Sequence, residues 1–167
     1  MNKTEKSYHN FFIKNKIDIN SKFLIAVSGG SDSMACLAIA KNLNLNIEVC
    51  HVNYLLRGLE SDNETILVSK YCQKHKIKLH VLKKDCNDYS ISKKLSIQES
   101  ARNIRYSFFE EIVSKHEIDY VITAHHIEDS VETFFINAIR GTGIKGLAGI
   151  PKIRGIYIRP LLETSKT

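Results

Sequence analysis

Residues 28–33 combine the side chains and the backbone freedom that a phosphate-binding loop needs. They read Ser-Gly-Gly-Ser-Asp-Ser and follow the apolar stretch 23–27, which predicts a short buried strand. A helical pattern begins near Ser31, so the N–H groups of a helix N-terminus would face an anion held by the loop. The two glycines allow a ligand to approach the backbone closely. The alternative is an ordinary strand-to-helix turn, because Ser, Gly and Asp are common turn residues.

Polar side chains also follow a second predicted strand, 119–124. His125 and His126 come first, and the acidic first turn of a predicted helix then includes Asp129 and Glu132. These two carboxylates are three residues apart and share a helix face, where they could hold Mg²⁺ or a substrate amine. The alternative is a favourable interaction with the helix dipole. Two adjacent histidines without cysteines are not a zinc signature.

Two further segments offer groups that could bind phosphate or substrate. Arg102 and Arg105 are three residues apart on a helix predicted over 96–116, so they form either a pair of cations for an anion or two solvated side chains. Residues 140–149 contain four of the eight glycines. This density predicts a mobile lid or, alternatively, a plain linker.

Predicted strands and helices alternate along the chain. The strands are expected at 23–27, 47–52, 78–82, 119–124 and 156–162. Right-handed crossovers between them predict a doubly wound α/β fold with a five-stranded parallel sheet in the order 3-2-1-4-5. The switch point then lies between strands one and four, so the loop at 28–33 and the segment at 125–132 face one crevice. Residues 83–94 are expected to form a polar loop.

The composition is that of one globular α/β domain of 167 residues, with a net charge of +6 that suits a polyanionic partner. The alternative is that the positive charge reflects a genomic compositional bias, because the chain is rich in Asn and Ile as well as Lys. The four cysteines form no Cys-x-x-Cys pair, which predicts free thiols and a cytoplasmic location. Neither a signal peptide nor a membrane span is expected. Residues 1–22 are expected to contribute an N-terminal helix packed on the domain formed by 23–167.

The loop at 28–33 resembles the SGGxDS pyrophosphate loop of the N-type ATP pyrophosphatases, also called the PP-loop family. Four further segments resemble, in the same order, those of the tRNA(Ile)-lysidine synthetases within that family. They are HVNYLLRG at 51–58, QESARNIRYSFF at 98–109, AHHIEDSVET at 124–133 and RGTGIKGLAGI at 140–150, followed by RPLL at 159–162. The Cys-x-x-Cys pairs of the relatives that 2-thiolate tRNA cytidine are absent.

This resemblance implies a ligase that uses ATP and Mg²⁺. The C2 oxygen of the wobble cytidine in an isoleucine tRNA with a CAU anticodon attacks the α-phosphorus of ATP, and pyrophosphate leaves. The ε-amine of free L-lysine then attacks C2 of the adenylated base and releases AMP, which leaves lysidine in the tRNA.

The resemblance also implies roles for individual residues. The ATP phosphates are expected on the loop, formed by Ser28, Gly29, Gly30, Ser31, Asp32 and Ser33, and the adenine near Ala26 and Val52. Asp32 and Asp129 are the expected Mg²⁺ ligands. Arg102 and Arg105 are the expected cations for the ATP phosphates and for the charge that develops on them during the reaction. His125 is the expected base for the lysine amine, Glu132 is expected to hold its ammonium, and Arg140 and Lys145 are expected to meet tRNA phosphates.

The sequence departs from the family pattern in two ways. Tyr54 stands where a histidine is usual, which predicts weaker contacts in that loop, and Glu128 replaces an aspartate but keeps the carboxylate. Family members usually continue beyond the RPLL segment into further domains that grip tRNA, and these are expected to be absent. The alternative function is therefore a truncated module that binds ATP or tRNA without complete activity.

Overall fold

The computed structural model describes residues 1–126 and 150–162. Helices and strands alternate through most of this part. In chain order the elements are α1 (Lys3–Lys14), β1 (Lys22–Ala26), α2 (Ser31–Asn42), β2 (Asn46–Asn53), α3 (Leu59–His75), β3 (Lys78–Lys83), α4 (Cys86–Lys93), α5 (Ile97–His116), β4 (Tyr120–Thr123), β5 (Ile153–Arg154) and β6 (Tyr157–Ile158). None of these helices is both long and apolar enough to cross a membrane.

The strands form one sheet in the order β3-β2-β1-β4-β6-β5, which confirms the predicted doubly wound α/β fold. Neighbouring strands are parallel from β3 to β6. The predicted fifth strand, 156–162, is wrong in extent, since β6 covers only Tyr157–Ile158 and Pro160 cannot donate to a ladder. A sixth strand, β5, pairs antiparallel with β6 across a turn at Gly155, whose φ of +59° suits a tight hairpin.

One helical detail differs from the predictions. The polar loop expected at 83–94 contains α4, which begins after Asp85; its carboxylate accepts hydrogen bonds from the N–H groups of Asn87 and Asp88. Helix α5 begins at a capping box, in which the Ser96 hydroxyl accepts from the Glu99 N–H. Phe109 is the fully buried aromatic ring of α5.

The sheet is buried on both faces, as expected of parallel strands. One core contains α1, α2 and α3, with Tyr8 and Phe12 of α1 packed beside Phe23 of β1. The other core places Phe109 and Ile112 of α5 against the opposite face. The predicted N-terminal helix is therefore part of the main hydrophobic core.

Helix α3 comes so close to the turn between β1 and α2 that the turn needs a glycine. Gly29 has a φ of +97°, and a Cβ built there would lie 2.8 Å from Cβ of Glu64. Gly30 has a φ of −73° and precedes the first turn of α2. A Cβ on Gly30 would meet only Oγ of Ser28, at 3.5 Å. The two adjacent glycines thus have different structural requirements.

Phe12→Ala tests how far α1 supports the core. The Phe12 ring is fully buried and stands edge-on to Phe23 at 5.5 Å between centroids. We expect the free energy of unfolding to fall by about 3–5 kcal/mol in urea denaturation, because the truncation leaves a cavity. Ile13→Ala is the matched control, since Ile13 is 62% exposed and should change stability by less than about 0.5 kcal/mol. Equal losses in the two variants would contradict this assignment.

Gly29→Ala and Gly30→Ala form a second matched pair. The alanine at 29 requires a left-handed backbone and pushes against Glu64, so we expect a loss of about 1–3 kcal/mol in the free energy of unfolding. The alanine at 30 meets neither problem and should cost about 1 kcal/mol or less, through weaker N-capping. Chemical denaturation without nucleotide measures both. Gly30→Ala proving the more damaging would rule out the close approach as the reason for the glycine.

Candidate active site

The carboxyl ends of β1, β2 and β4 open into one cavity of about 290 Å³. Parallel pairing aligns Ala26 at the end of β1 with Cys50 on β2 and Thr123 on β4. Side chains that follow these strands therefore converge on one edge of the sheet. Seven of the residues singled out from the sequence line this cavity, namely Ala26, Ser28, Asp32, Ser33, Val52, Arg105 and His125.

Hydrogen bonds between hydroxyls and backbone fold the loop at 28–33 back on itself. The Ser33 hydroxyl donates to the Gly30 carbonyl at 2.9 Å and accepts from the Ser28 N–H at 3.2 Å. The Gly30 N–H in turn donates to Oγ of Ser28 at 3.3 Å. Helix α2 begins immediately afterwards, and its N-cap residue, Gly30, has no side chain to cap the first turn. The loop therefore presents helix N–H groups beside the cavity, as an anion-binding turn does.

Asp32 and the two histidines after β4 meet at the mouth of this loop. Nε2 of His126 lies 3.3 Å from Oδ2 of Asp32, and His126 is buried. Nδ1 of His125 lies 2.9 Å from Oγ1 of Thr123, which fixes the orientation of a ring that lines the cavity. The histidine beside Asp32 is thus His126, which sequence reasoning had not assigned a role. Only the side-by-side arrangement of strand ends could have indicated that contact.

The two arginines of α5 have different positions. Arg105 lines the cavity, whereas Arg102 is exposed and is not among the lining residues. Both guanidinium groups lie over the ring of Tyr106, with Cζ at 4.8 Å for Arg102 and 5.6 Å for Arg105. Such contacts are favourable cation–π interactions and restrict the positions of both cations. Within residues 1–126 and 150–162, neither arginine forms an ion pair.

The remaining wall of the cavity is largely aromatic and apolar, and sequence reasoning missed most of it. Its residues include Cys50, Tyr54, Tyr106, Phe109 and Thr123. Tyr54, noted above as a departure, lies in this wall. Burial raises the pKa of its phenol, against the opposing charge of Arg105, so the hydroxyl is neutral near pH 7. Burial likewise raises the pKa of the Cys50 thiol, which makes it an unreactive apolar contact.

His51 of β2 has a structural role, although it begins the segment HVNYLLRG that resembles the family. Its ring is buried, with Nδ1 at 2.8 Å from the Val27 carbonyl oxygen and Nε2 at 2.9 Å from Oγ1 of Thr65. These contacts tie the end of β1 to β2 and α3. His51 therefore supports the loop rather than lining the cavity.

The oxygen atoms at the loop match the preferences of a hard cation. The Asp32 carboxylate and the Ser28 and Ser33 hydroxyls all line the cavity, and Mg²⁺ prefers such oxygen ligands. Gly29, Gly30 and Ser31 belong to the loop but do not line the cavity. Four other predicted residues, Asp129, Glu132, Arg140 and Lys145, lie outside the described residues, as do Glu128 and the helix and glycine-rich loop predicted over 127–149.

Comparison with known proteins agrees with this geometry. A family profile described as the PP-loop domain matches residues 1–167. The chain is 42% identical over 143 residues to a tRNA(Ile)-lysidine synthase from Bacteroides thetaiotaomicron, covering 86% of this chain and 34% of that protein. It is 40% identical over 157 residues to a tRNA(Ile)-lysidine synthase from Clostridium tetani, covering 91% of this chain and 34% of that protein. The chain thus spans about a third of the length of these curated relatives.

A solved structure supports the fold assignment. The U34-tRNA thiolase NcsA from Methanococcus maripaludis matches with a TM-score of 0.76 and 18% identity, covering 98% of this chain and 59% of that chain. At this identity the likeness concerns the fold alone. Because the family profile covers every residue, and the loop and cavity lie at the switch point of the sheet, the chain belongs to the PP-loop domain family.

Proposed function

We propose that this chain is the ATP-using catalytic domain of a tRNA(Ile)-lysidine synthase. The observation that carries the proposal is the meeting of the SGGSDS loop, Asp32, Arg105 and His125 in one cavity. Relatives that are about 40% identical and bear that name support the choice within the family. The substrates are then ATP, free L-lysine and the wobble cytidine of an isoleucine tRNA with a CAU anticodon.

ATP would enter with its phosphates toward the start of α2. The partial positive charge there, the loop N–H groups and Arg105 all stabilise the negative charge that develops as pyrophosphate leaves. The adenine would lie against the apolar part of the wall near Ala26 and Val52, beside Tyr54. A cavity of about 290 Å³ is close to the lower limit for small-molecule sites.

Mg²⁺ fits the oxygen-rich side of the cavity. The Asp32 carboxylate would hold it, with Asp129 as the second ligand that the family resemblance implies. When bound, the ion neutralises phosphate charge. The nearby His126 keeps the Asp32 side chain oriented toward the cavity.

Lysine attack needs a neutral amine, because an ammonium has no lone pair. His125 would accept that proton, and its place in the cavity wall with Nδ1 beside Oγ1 of Thr123 supports this role. An imidazole with an ordinary pKa near 6.5 can serve as a base at neutral pH. Glu132 would hold the ammonium beforehand. Arg102, which is exposed beside Tyr106, would contact tRNA phosphates together with Arg140 and Lys145. A base in a single-stranded loop can be extruded at modest cost.

Incubation with isoleucine tRNA of CAU anticodon, ATP and radiolabelled lysine tests the proposal directly. We expect label in the tRNA and release of AMP and pyrophosphate. Asp32→Ala should lower AMP formation by about a hundredfold or more, because the side chain proposed to hold Mg²⁺, and with it the neutralisation of phosphate charge, is lost. Asp88→Ala is the matched control, since Asp88 is also an acid in the first turn of a helix but lies outside the cavity.

The outcomes separate the two functional classes. ATP binding without label transfer or AMP would favour the alternative, a module that binds nucleotide or tRNA without complete activity. Unchanged AMP formation in Asp32→Ala would remove Asp32 from the mechanism.

His125→Ala should separate the two chemical steps. We expect lysine transfer to slow by about 10²–10⁴-fold, the usual contribution of a general base, while adenylation slows less. Trapping of adenylated tRNA in the absence and presence of lysine measures the two rates. His126→Ala provides the comparison, because its ring contacts Asp32 and its loss should slow adenylation. An equal loss of both steps in His125→Ala would contradict the base role.

A further inference from the structure

Three side chains of types that can bind metals, from three different elements, meet outside the cavity. They are Glu48 of β2, His80 of β3 and His116, the last residue of α5. Nε2 of His80 lies 2.6 Å from Oε2 of Glu48, and Nδ1 of His116 lies 3.9 Å from the same oxygen. One donor atom from each residue falls within 4.8 Å of the others. The two imidazole rings are 4.6 Å apart and inclined by 52°, so they are not stacked face to face.

The Glu48 carboxylate is held so that one oxygen faces the histidines. Lys22 Nζ lies 2.9 Å from Oε1 of Glu48 and donates to the His116 carbonyl at the same distance. This lysine thus links Oε1 of Glu48 to the end of α5. The other carboxylate oxygen, Oε2, faces the two imidazole rings. The Glu48 side chain is only 8% exposed, whereas His80 and His116 are 15% and 21% exposed. The cluster is therefore buried at Glu48 and open to solvent on the side of the two histidines.

Lys78 occupies part of that opening. Its Nζ lies 2.8 Å from Nδ1 of His116 and 3.6 Å from Oε1 of Glu48. Because Lys78 is 52% exposed, its ammonium can turn into solvent without disturbing the core. A lysine ammonium can only donate hydrogen bonds. Nδ1 of His116 must therefore accept from Lys78, so this nitrogen carries a lone pair directed into the cluster.

Two side chains of the cluster have shifted pKa values. Burial raises the pKa of the Glu48 carboxyl, but the hydrogen bonds from His80 and Lys22 and the charges of Lys22 and Lys78 outweigh burial and lower it to about 2. Burial and the Lys78 charge lower the pKa of His116 below its usual value. Glu48 is therefore an anion and His116 a neutral ring near pH 7.

We propose that Glu48, His80 and His116 bind a transition-metal ion such as Zn²⁺. Two imidazole nitrogens and one carboxylate oxygen are a familiar zinc ligand set, with water in the fourth position. Nitrogen ligands select such an ion over Mg²⁺, which prefers oxygen. On binding, Nε2 of His80 exchanges its contact with Glu48 for the metal, and the ring carries its proton on Nδ1. Lys78 moves out, and Lys22 remains on Oε1.

This site is separate from the cavity and from the proposed reaction. Glu48 precedes Val52 of the cavity by four residues of β2, which is roughly 13 Å along an extended strand. The ion would join the end of α5 to β2 and β3. Its expected effect is therefore on stability, through binding that occurs only in the folded chain.

Titration of the full chain with Co²⁺, after removal of metals with a chelator, tests the proposal. We expect visible absorption of four-coordinate Co²⁺ that saturates at a single ion per chain, displacement by Zn²⁺, and a Tm that rises with metal concentration. His116→Ala and Glu48→Gln should each weaken binding by more than about a hundredfold, since losing a ligand costs more than losing a neighbour of one. His75→Ala is the matched control, because the His75 ring contacts Tyr71 and is not a member of the cluster.

Lys78→Met gives a result that misfolding cannot imitate. Removal of the competing cation should tighten Co²⁺ binding by about tenfold. Circular dichroism confirms that each variant folds before titration. The proposal is overturned if the unmodified chain gives no saturable Co²⁺ spectrum, if His116→Ala or Glu48→Gln retains that spectrum at unchanged affinity, or if Lys78→Met leaves or lowers the affinity.

Discussion

The position of β1 between β2 and β4 is the constraint on which the rest of the structure depends. Parallel pairing on both sides aligns the ends of three strands, so that everything after Ala26, Asn53 and Thr123 meets at one edge. The Val27 N–H extends this pairing by donating to the Cys50 carbonyl at 2.9 Å. The ring of His51 then fixes the Val27 carbonyl from the other side. A small shift of β1 would separate the loop from the arginine and histidines that complete the cavity.

Backbone groups and side chains make different contributions to the cavity. The loop supplies N–H groups and hydroxyls that are already hydrogen-bonded to one another, so little order must be gained when a ligand binds. Apart from Asp32, the other polar groups come from elsewhere, with Arg105 from α5 and His125 from the end of β4. Tyr106 adds a ring under both arginines, which restricts cations that would otherwise be mobile. Preorganised charge of this kind is the main resource for phosphoryl and adenylyl chemistry.

Much of this arrangement could be predicted from the sequence because it depends on local patterns. Short apolar runs separated by helical periodicity gave the strand order, and the loop motif gave the place of the cavity. The sequence also placed the loop at 28–33 and the segment after β4 at one crevice, but individual side-chain contacts between distant segments could not be predicted. The approach of Glu64 to Gly29, the pairing of His126 with Asp32 and the aromatic wall with Tyr54 depend on tertiary packing. Helix α4 was missed because its capping residue, Asp85, also suits a turn. The Glu48 cluster joins residues 32 and 36 positions apart, which no local motif reveals.

The short hairpin of β5 and β6 has a consequence for how molecules of this protein meet each other. An edge strand with unpaired backbone groups can recruit the edge of another sheet, and long flat edges promote aggregation. Among the described residues, one edge of the sheet is a strand of two residues, Ile153–Arg154, turned back by Gly155. The other edge, β3, begins and ends with lysine, at Lys78 and Lys83. The short length of β5 and the lysines of β3 both disfavour pairing with the edge of another sheet. Both edges can therefore be exposed without promoting association between molecules.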